Sequence, residues 1–310
     1  MYKKILVPVD GSPDSERVLD WVKPFARLGA DIHLVTIVDS RHLAQAHEFA
    51  QLTESITEWA DQYLAGLLKE VQQEFPSASA SRGTGGPARE ILRIAGEVDA
   101  DLIAMETHRG SAVVRGIVGS CTDAVVRSGK LPVLVLPPGG ASVTAPDKPS
   151  TILVPLDGSD LAEHGLELGI ELAKAFEANL SLVRAVSANA YGGSIYGMDH
   201  GFDASQAWSD AVQSQEKEAG DYLNTQANRV KAAGLSVMTA VPTDTGAGSV
   251  IDALDDSPST MAVMATHGRG GIKRLVLGSV TDKVIRSSNA PVLVIPANSI
   301  SDANEAETDV

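Results

Sequence analysis

The sequence holds one cysteine, Cys121, among 310 residues. A lone thiol cannot close an internal disulfide and offers no cysteine-based metal pattern. No apolar run approaches the roughly 20 residues that a membrane-spanning helix requires. Basic residues are scarce: 25 Lys and Arg stand against 40 Asp and Glu, for a net charge of −15. Such a surface repels nucleic acid phosphates and anionic headgroups, so neither nucleic acid nor membrane is an expected partner. It also repels an anionic ligand at long range. Any phosphate site must therefore act locally, through backbone N–H groups and a few cations. The opening MYKKILVPVDGS is broken by Pro8, Asp10 and Gly11, too early for a signal-peptide core. It reads as a first strand, and a cytoplasmic protein is expected.

The common phosphate signatures are missing too. No Gly-x4-Gly-Lys-[Ser/Thr] loop is present, and GxGxxG is absent from the first strand–helix turn. What is present is a repeat. Ile5-Leu-Val-Pro-Val-Asp-Gly-Ser12 returns as Ile152-Leu-Val-Pro-Leu-Asp-Gly-Ser159. Thr107-His108, Gly119-Ser120 and Pro132-Val-Leu-Val-Leu-Pro137 return as Thr266-His267, Gly278-Ser279 and Pro291-Val-Leu-Val-Ile-Pro296. The order is the same, so one domain is written twice. We expect a first domain over 1–138, a linker over 139–150, a second domain over 151–297 and an acidic, disordered tail over 298–310.

Within each copy, short apolar runs alternate with amphipathic stretches. Strands are expected near 4–9, 31–38, 77–82, 101–105 and 132–136, with helices near 13–28, 52–74, 87–97 and 118–128. The second copy repeats the pattern, with strands near 151–156, 179–186, 235–241, 260–265 and 291–295. Runs such as KILVPV and PVLVIP are apolar on both faces, as a parallel strand covered by helices on both sides must be. The fold class is α/β, two doubly wound domains in tandem.

In such a sheet a ligand binds at the carboxyl ends of the strands, where the winding reverses. Strand one of each copy ends there at Asp10 or Asp157, each followed by Gly-Ser. Either carboxylate can accept from a ribose or an adenine amino group. Either can equally close an Asx turn that opens a helix, and the two roles are compatible. The stretch ATHGRGGIKRLVLGSVTDK, from Ala265 to Lys283, follows strand four of the second copy. Gly268 permits a close backbone approach. Gly278-Ser279-Val280 opens a helix whose free N–H groups suit an anion, with Ser279 able to cap it. Lys273 and Arg274 add local charge or form solvated surface.

Strand-DGS, Thr-His-Gly followed by nine residues and Gly-Ser, and a closing Pro-Val-Leu-Val strand together resemble the universal stress protein family, over both copies. The resemblance implies five-stranded parallel sheets in the order 3-2-1-4-5. It also implies ATP, with or without Mg²⁺, held by Gly-x-x-Gly-x9-Gly-[Ser/Thr], by an Asp after strand one and by a Val ending strand two. In the second copy these are Asp157, Val186, Gly268, Gly278 and Ser279, with Ala265 in the first glycine position, flanked by His267 and Val280. In the first copy Asp10, Val38, Gly119 and Ser120 match, but Glu106 and Arg109 replace the two leading glycines. Arg109 can pair with Glu106 or grip a phosphate itself; the other reading is a first copy that has lost its nucleotide and serves as a structural partner. The resemblance further implies pairing of the fifth strands, Val133–Leu136 antiparallel to Val292–Ile295, as an internal pseudo-dimer. A homodimer of the whole chain is left open.

Other candidates count for less. His108 and His267 are expected to hold their loops. His42 and His47 lie five apart, which does not face them for a metal. Cys121 follows the Gly119-Ser120 turn near a helix N-terminus, which can lower its pKa, but a redox role is not the expected one. Tyr191–Gly201 is an insertion, a flap or plain surface. Trp59 and Trp208 read as packing anchors. No acidic pair is placed for Mg²⁺, so little or no hydrolysis is expected. The function expected is an ATP-binding, stress-linked sensor or regulator acting on a partner protein. The alternative is a non-nucleotide scaffold, or a small-ligand binder, with both sites degenerate.

Overall fold

The computed structural model describes residues 1–39, 49–107, 120–128, 131–136, 147–186, 204–243, 246–256, 260–266 and 277–296. The first half runs β1 (Lys4–Pro8), α1 (Pro13–Glu16), α2 (Val18–Arg27), β2 (Asp31–Val38), α3 (Phe49–Glu74), β3 (Ser79–Thr84), α4 (Pro87–Glu97), β4 (Leu102–Glu106), α5 (Ser120–Ser128) and β5 (Val133–Leu136). The second runs β6 (Thr151–Pro155), α6 (Asp160–Phe176), β7 (Asn179–Val183), α7 (Ala204–Ala232), β8 (Val237–Ala240), α8 (Gly246–Asp255), β9 (Thr260–Ala265), α9 (Ser279–Ser287) and β10 (Val292–Ile295).

One ten-stranded sheet results, in the order β3-β2-β1-β4-β5-β10-β9-β6-β7-β8. Each half is parallel in the order 3-2-1-4-5, and β5 meets β10 antiparallel with Leu134 opposite Leu293. Strand apolarity explains the layering. Ile5, Leu34, Ile152 and Leu293 point into one core beneath α2, α3, α6 and α7. Leu6, Val35, Leu153 and Val292 point into the other beneath α4, α5, α8 and α9. Each fully buried aliphatic side chain contributes roughly 1.5–3 kcal/mol. The halves also touch off the sheet: Phe25 of α2 packs edge-on against Phe176 of α6 at 5.0 Å.

Two expected elements differ in detail. The helix expected over 13–28 is two helices. The ladder runs Arg17 to Pro13, then tightens so that Asp20 donates to Arg17, three residues back. The strand expected over 179–186 stops at Val183, leaving Val186 in an isolated bridge with Thr243.

Candidate functional site

The site is built where β6 lies between β7 and β9, the point at which the winding reverses in the second half. Beyond β6 the chain turns through Gly158, whose φ of 81° is left-handed. Asp157 Oδ1 closes this turn, accepting from Ser159 N at 3.0 Å and Ser159 Oγ at 2.6 Å. Ser159 Oγ in turn accepts from Ala162 N and caps α6. Asp157 therefore does fill the Asx-turn role, which leaves it fixed at the rim.

Beside it, at the end of β7, the Arg184 guanidinium lies over the Tyr222 ring at 4.6 Å and within 3.4 Å of Glu218. Tyr222 donates to Glu163 at 3.1 Å. Burial first, then Glu163, pushes its pKa up to about 12, so it is a neutral donor near neutral pH. Val186 is buried, and its N–H is committed to Pro242 O.

Two helix starts converge on the same rim. A Cβ placed on Gly246, the first residue of α8, would lie 3.6 Å from Val280 of α9 and 4.0 Å from Ala185, next to Arg184. Ser279 does not cap α9; Gly278 is the N-cap, without a side-chain hydrogen bond, and Ser279 is the first helical residue. Its φ of −59° means Gly278 is not there for a left-handed turn. Thr281 Oγ1 donates to Ala265 O at 2.8 Å, tying α9 to the end of β9. His267 and Gly268 fall outside the described residues, as do Lys273 and Arg274, the 191–201 insertion and His42 and His47.

The first half keeps the frame and changes the furniture. Asp10 Oδ1 accepts from Ser12 N at 3.0 Å, and Val38 O accepts from Gly85 N. Ser120 opens α5, and Thr122 Oγ1 donates to Glu106 O just as Thr281 does to Ala265. Arg109, Gly119 and His108 lie outside the described residues. Glu106, whose side chain is 1% exposed, pairs with Arg17 at 3.0 Å. Arg17 is thus a partner of Glu106 that the sequence did not name, and the pairing of Arg109 with Glu106 falls outside the described residues. Arg17 sits 89 residues away in sequence, so no local spacing announced it.

Trp59 and Trp208, read as packing anchors, are both exposed in part. Trp59 is 50% exposed and Trp208 38%. Trp59 stacks on Tyr63 at 5.4 Å, and its indole covers Gly11, where an added Cβ would fall 2.8 Å from the ring. Tyr63 donates to Glu16, as Tyr222 does to Glu163. That recurring Glu–Tyr pair was visible in the repeat and ties the long helix of each half to the helix that follows its first strand. By the same alignment Glu218, not Trp208, stands at the place of Trp59. Among the described residues no group of three His, Cys, Asp or Glu is gathered for a metal, and no helix is long and apolar enough to cross a membrane.

The comparisons agree with this architecture. Universal stress protein YxiE of Bacillus subtilis is 25% identical over 150 residues, 46% of this chain and 97% of its own length. Universal stress protein MJ0577 of Methanocaldococcus jannaschii is 29% identical over 154 residues, 44% of this chain and 95% of its own. Each thus corresponds to about half of this chain. A crystal structure of a universal stress protein from Archaeoglobus fulgidus shares the fold at a TM-score of 0.70, with 20% identity over 94% of this chain and 96% of that one. The functionally unknown protein PA1789 of Pseudomonas aeruginosa does so at 0.63, with 15% identity over 100% and 98%. The model of the universal stress protein family matches residues 1–137 and again 149–296. With that match over both halves of one continuous sheet, the chain belongs to the universal stress protein family, in tandem form.

Proposed function

We propose that the chain is an ATP-binding regulator of the stress response, with the nucleotide held by the second half and little or no hydrolysis. The observation that carries this reading is the meeting of Asp157, Arg184 and the starts of α8 and α9 at one rim, around the β6–β9 crevice. Helix N-termini offer uncommitted N–H groups and positive potential, which suit phosphates on an otherwise anionic protein. Asp157, Val186, Ala265, His267, Gly268, Gly278, Ser279 and Val280 are assigned to the ligand. Hydrolysis asks for a positioned water with a metal and a base; Asp157, the carboxylate at this rim, is engaged in holding its turn. The bound state then acts on a partner protein through its differential affinity for two conformations.

Calorimetry with ATP tests this on the full chain. Wild type is expected to bind, and Ser279→Glu to lose binding at least tenfold. The new carboxylate suits a helix start, so the fold should survive while phosphate is repelled. No heat from wild type, or equal binding by Ser279→Glu, would remove the assignment. Mass spectrometry of ligand released from purified protein identifies the bound species.

A further inference from the structure

The two crevices differ in what their own side chains do. Arg17 leaves the chain between α1 and α2, just after β1; Glu106 is the last residue of β4. Strands β1 and β4 are neighbours in the sheet, and their carboxyl ends flank the reversal point of the first half. The ion pair, 3.0 Å long, therefore joins the α1–α2 corner to the end of β4 at this edge of the sheet. In the second half the corresponding positions are His164 and Ala265. A methyl group cannot form that pair. Thr122 holds Glu106 O and Thr281 holds Ala265 O at the same 2.8 Å, so the two strand ends are tied alike and carry different side chains.

A second closure lies beside the first. The Trp59 indole stacks on Tyr63 and seals the Asp10–Gly11–Ser12 turn, so tightly that Gly11 has no room for a Cβ. In the second half the matching helix position is Glu218, and the matching ring, Tyr222, is covered by Arg184 instead. Two independent contacts at the first rim are thus made by the chain's own groups.

We propose that the Arg17–Glu106 pair is a built-in occupant of the first crevice, which closes it to nucleotide and limits the chain to one ATP. This rests on the reading that the second half carries the ligand site. The physical reason is charge. Arg17 already holds an anion, the Glu106 carboxylate, and that carboxylate is sealed from solvent where an incoming phosphate would have to approach. Like charges at short range in poorly solvated surroundings repel strongly. Breaking the pair to admit ligand would strand a buried charge.

The test is stoichiometry by calorimetry with ATP, on the full chain. Wild type should bind one. The exchange Arg17→His with Glu106→Ala, which installs the second half's residues and removes the pair as a unit, should bind two. The same exchange combined with Ser279→Glu should bind one, now in the first half. Ser279→Glu alone, which leaves the first crevice untouched, should bind none. Two ATP on wild type, one on Ser279→Glu, or no added site in an exchange variant whose circular dichroism is native, each overturns the closure. Should the exchange variant not fold, the Ser279→Glu result decides alone. If wild type binds none while the exchange variant binds one, the second-half assignment fails and the closure stands.

Discussion

At the scale of single residues, buried charge makes the sharpest demand. Glu106 is nearly sealed while Arg17 keeps 28% of its side chain exposed. Removing the arginine should therefore hurt more than removing the acid. Arg17→Ala should cost about 3–5 kcal/mol, the usual cost of orphaning a buried charge. Glu106→Ala should cost less, because Arg17 can turn to water, and the double change less than the sum. Urea denaturation of the four proteins reads this, and additive losses would deny the coupling. His33 makes a second prediction. Its ring nitrogens lie 2.8 Å from Ser79 Oγ and Ser81 Oγ on β3. Burial, then the charge of Lys4, holds its pKa below the ordinary value of 6.5. The unfolded chain thus binds a proton first as pH falls. Stability from His33 is present above about pH 6.5 and is lost as pH drops toward its folded pKa. Replacing His33 with Gln should flatten that acid-side slope, measured as melting temperature between pH 7 and 5. Residues set by local chemistry were legible in the sequence. Asp10 and Asp157 fell at the turns their Asp-Gly-Ser spelled out. Arg17, Arg184 and Trp59 were not legible as rim residues, because Glu106, Glu218 and Gly11, which they meet, are distant in sequence and only folding brings them together.

At the scale of elements, periodicity gave the strands and helices to within a few residues, since an element buried on a fixed face must repeat its apolar side chains. It could not give the break at Arg17 or the early end of β7, where hydrogen-bond partners rather than apolar spacing decide. Two helix glycines separate propensity from packing. Replacing an interior helical glycine with alanine favours the helix by up to ~1 kcal/mol. At Gly220 in α7 an added Cβ meets nothing within 4 Å, so Gly220→Ala should raise stability by up to about 1 kcal/mol. At Gly169 in α6 the Cβ would fall 2.7 Å from Val154 Cγ2, a stiff β-branched neighbour on the adjoining strand. Gly169→Ala should lower stability by about 1–3 kcal/mol, the usual range for overpacking. Thermal melts of both variants would show opposite shifts; a rise in both would mean that α6 moves off the sheet easily.

At the scale of the molecule, the family resemblance implied the pairing of the fifth strands, and the structure places Val135 opposite Val292 and Val133 opposite Val294. Duplicated sequence implies a two-fold arrangement. It does not say which contacts tie the halves together, because those residues need not match between copies. Beyond the strand seam, the described residues include two such ties. Asp123–Arg127 of α5 and Asp282–Arg286 of α9 face one another, with Arg127 4.0 Å from Asp282. On the opposite side of the sheet Phe25 meets Phe176, 1% and 2% exposed. With a continuous sheet and a shared core, the halves should melt as one cooperative unit although each carries its own repeat. Phe176→Ala tests this from within one half. A large buried ring removed from a close-packed core costs about 3–5 kcal/mol, and here the cavity opens against a residue of the other half. If the halves are one folding unit, calorimetry should show a single transition displaced to lower temperature, because the loss is felt by both. If they fold separately, the endotherm should split, the first half melting near its original temperature while the second melts early. A split would confine the tandem's cooperativity to each repeat and leave the ten-stranded sheet as an assembly of two independent domains.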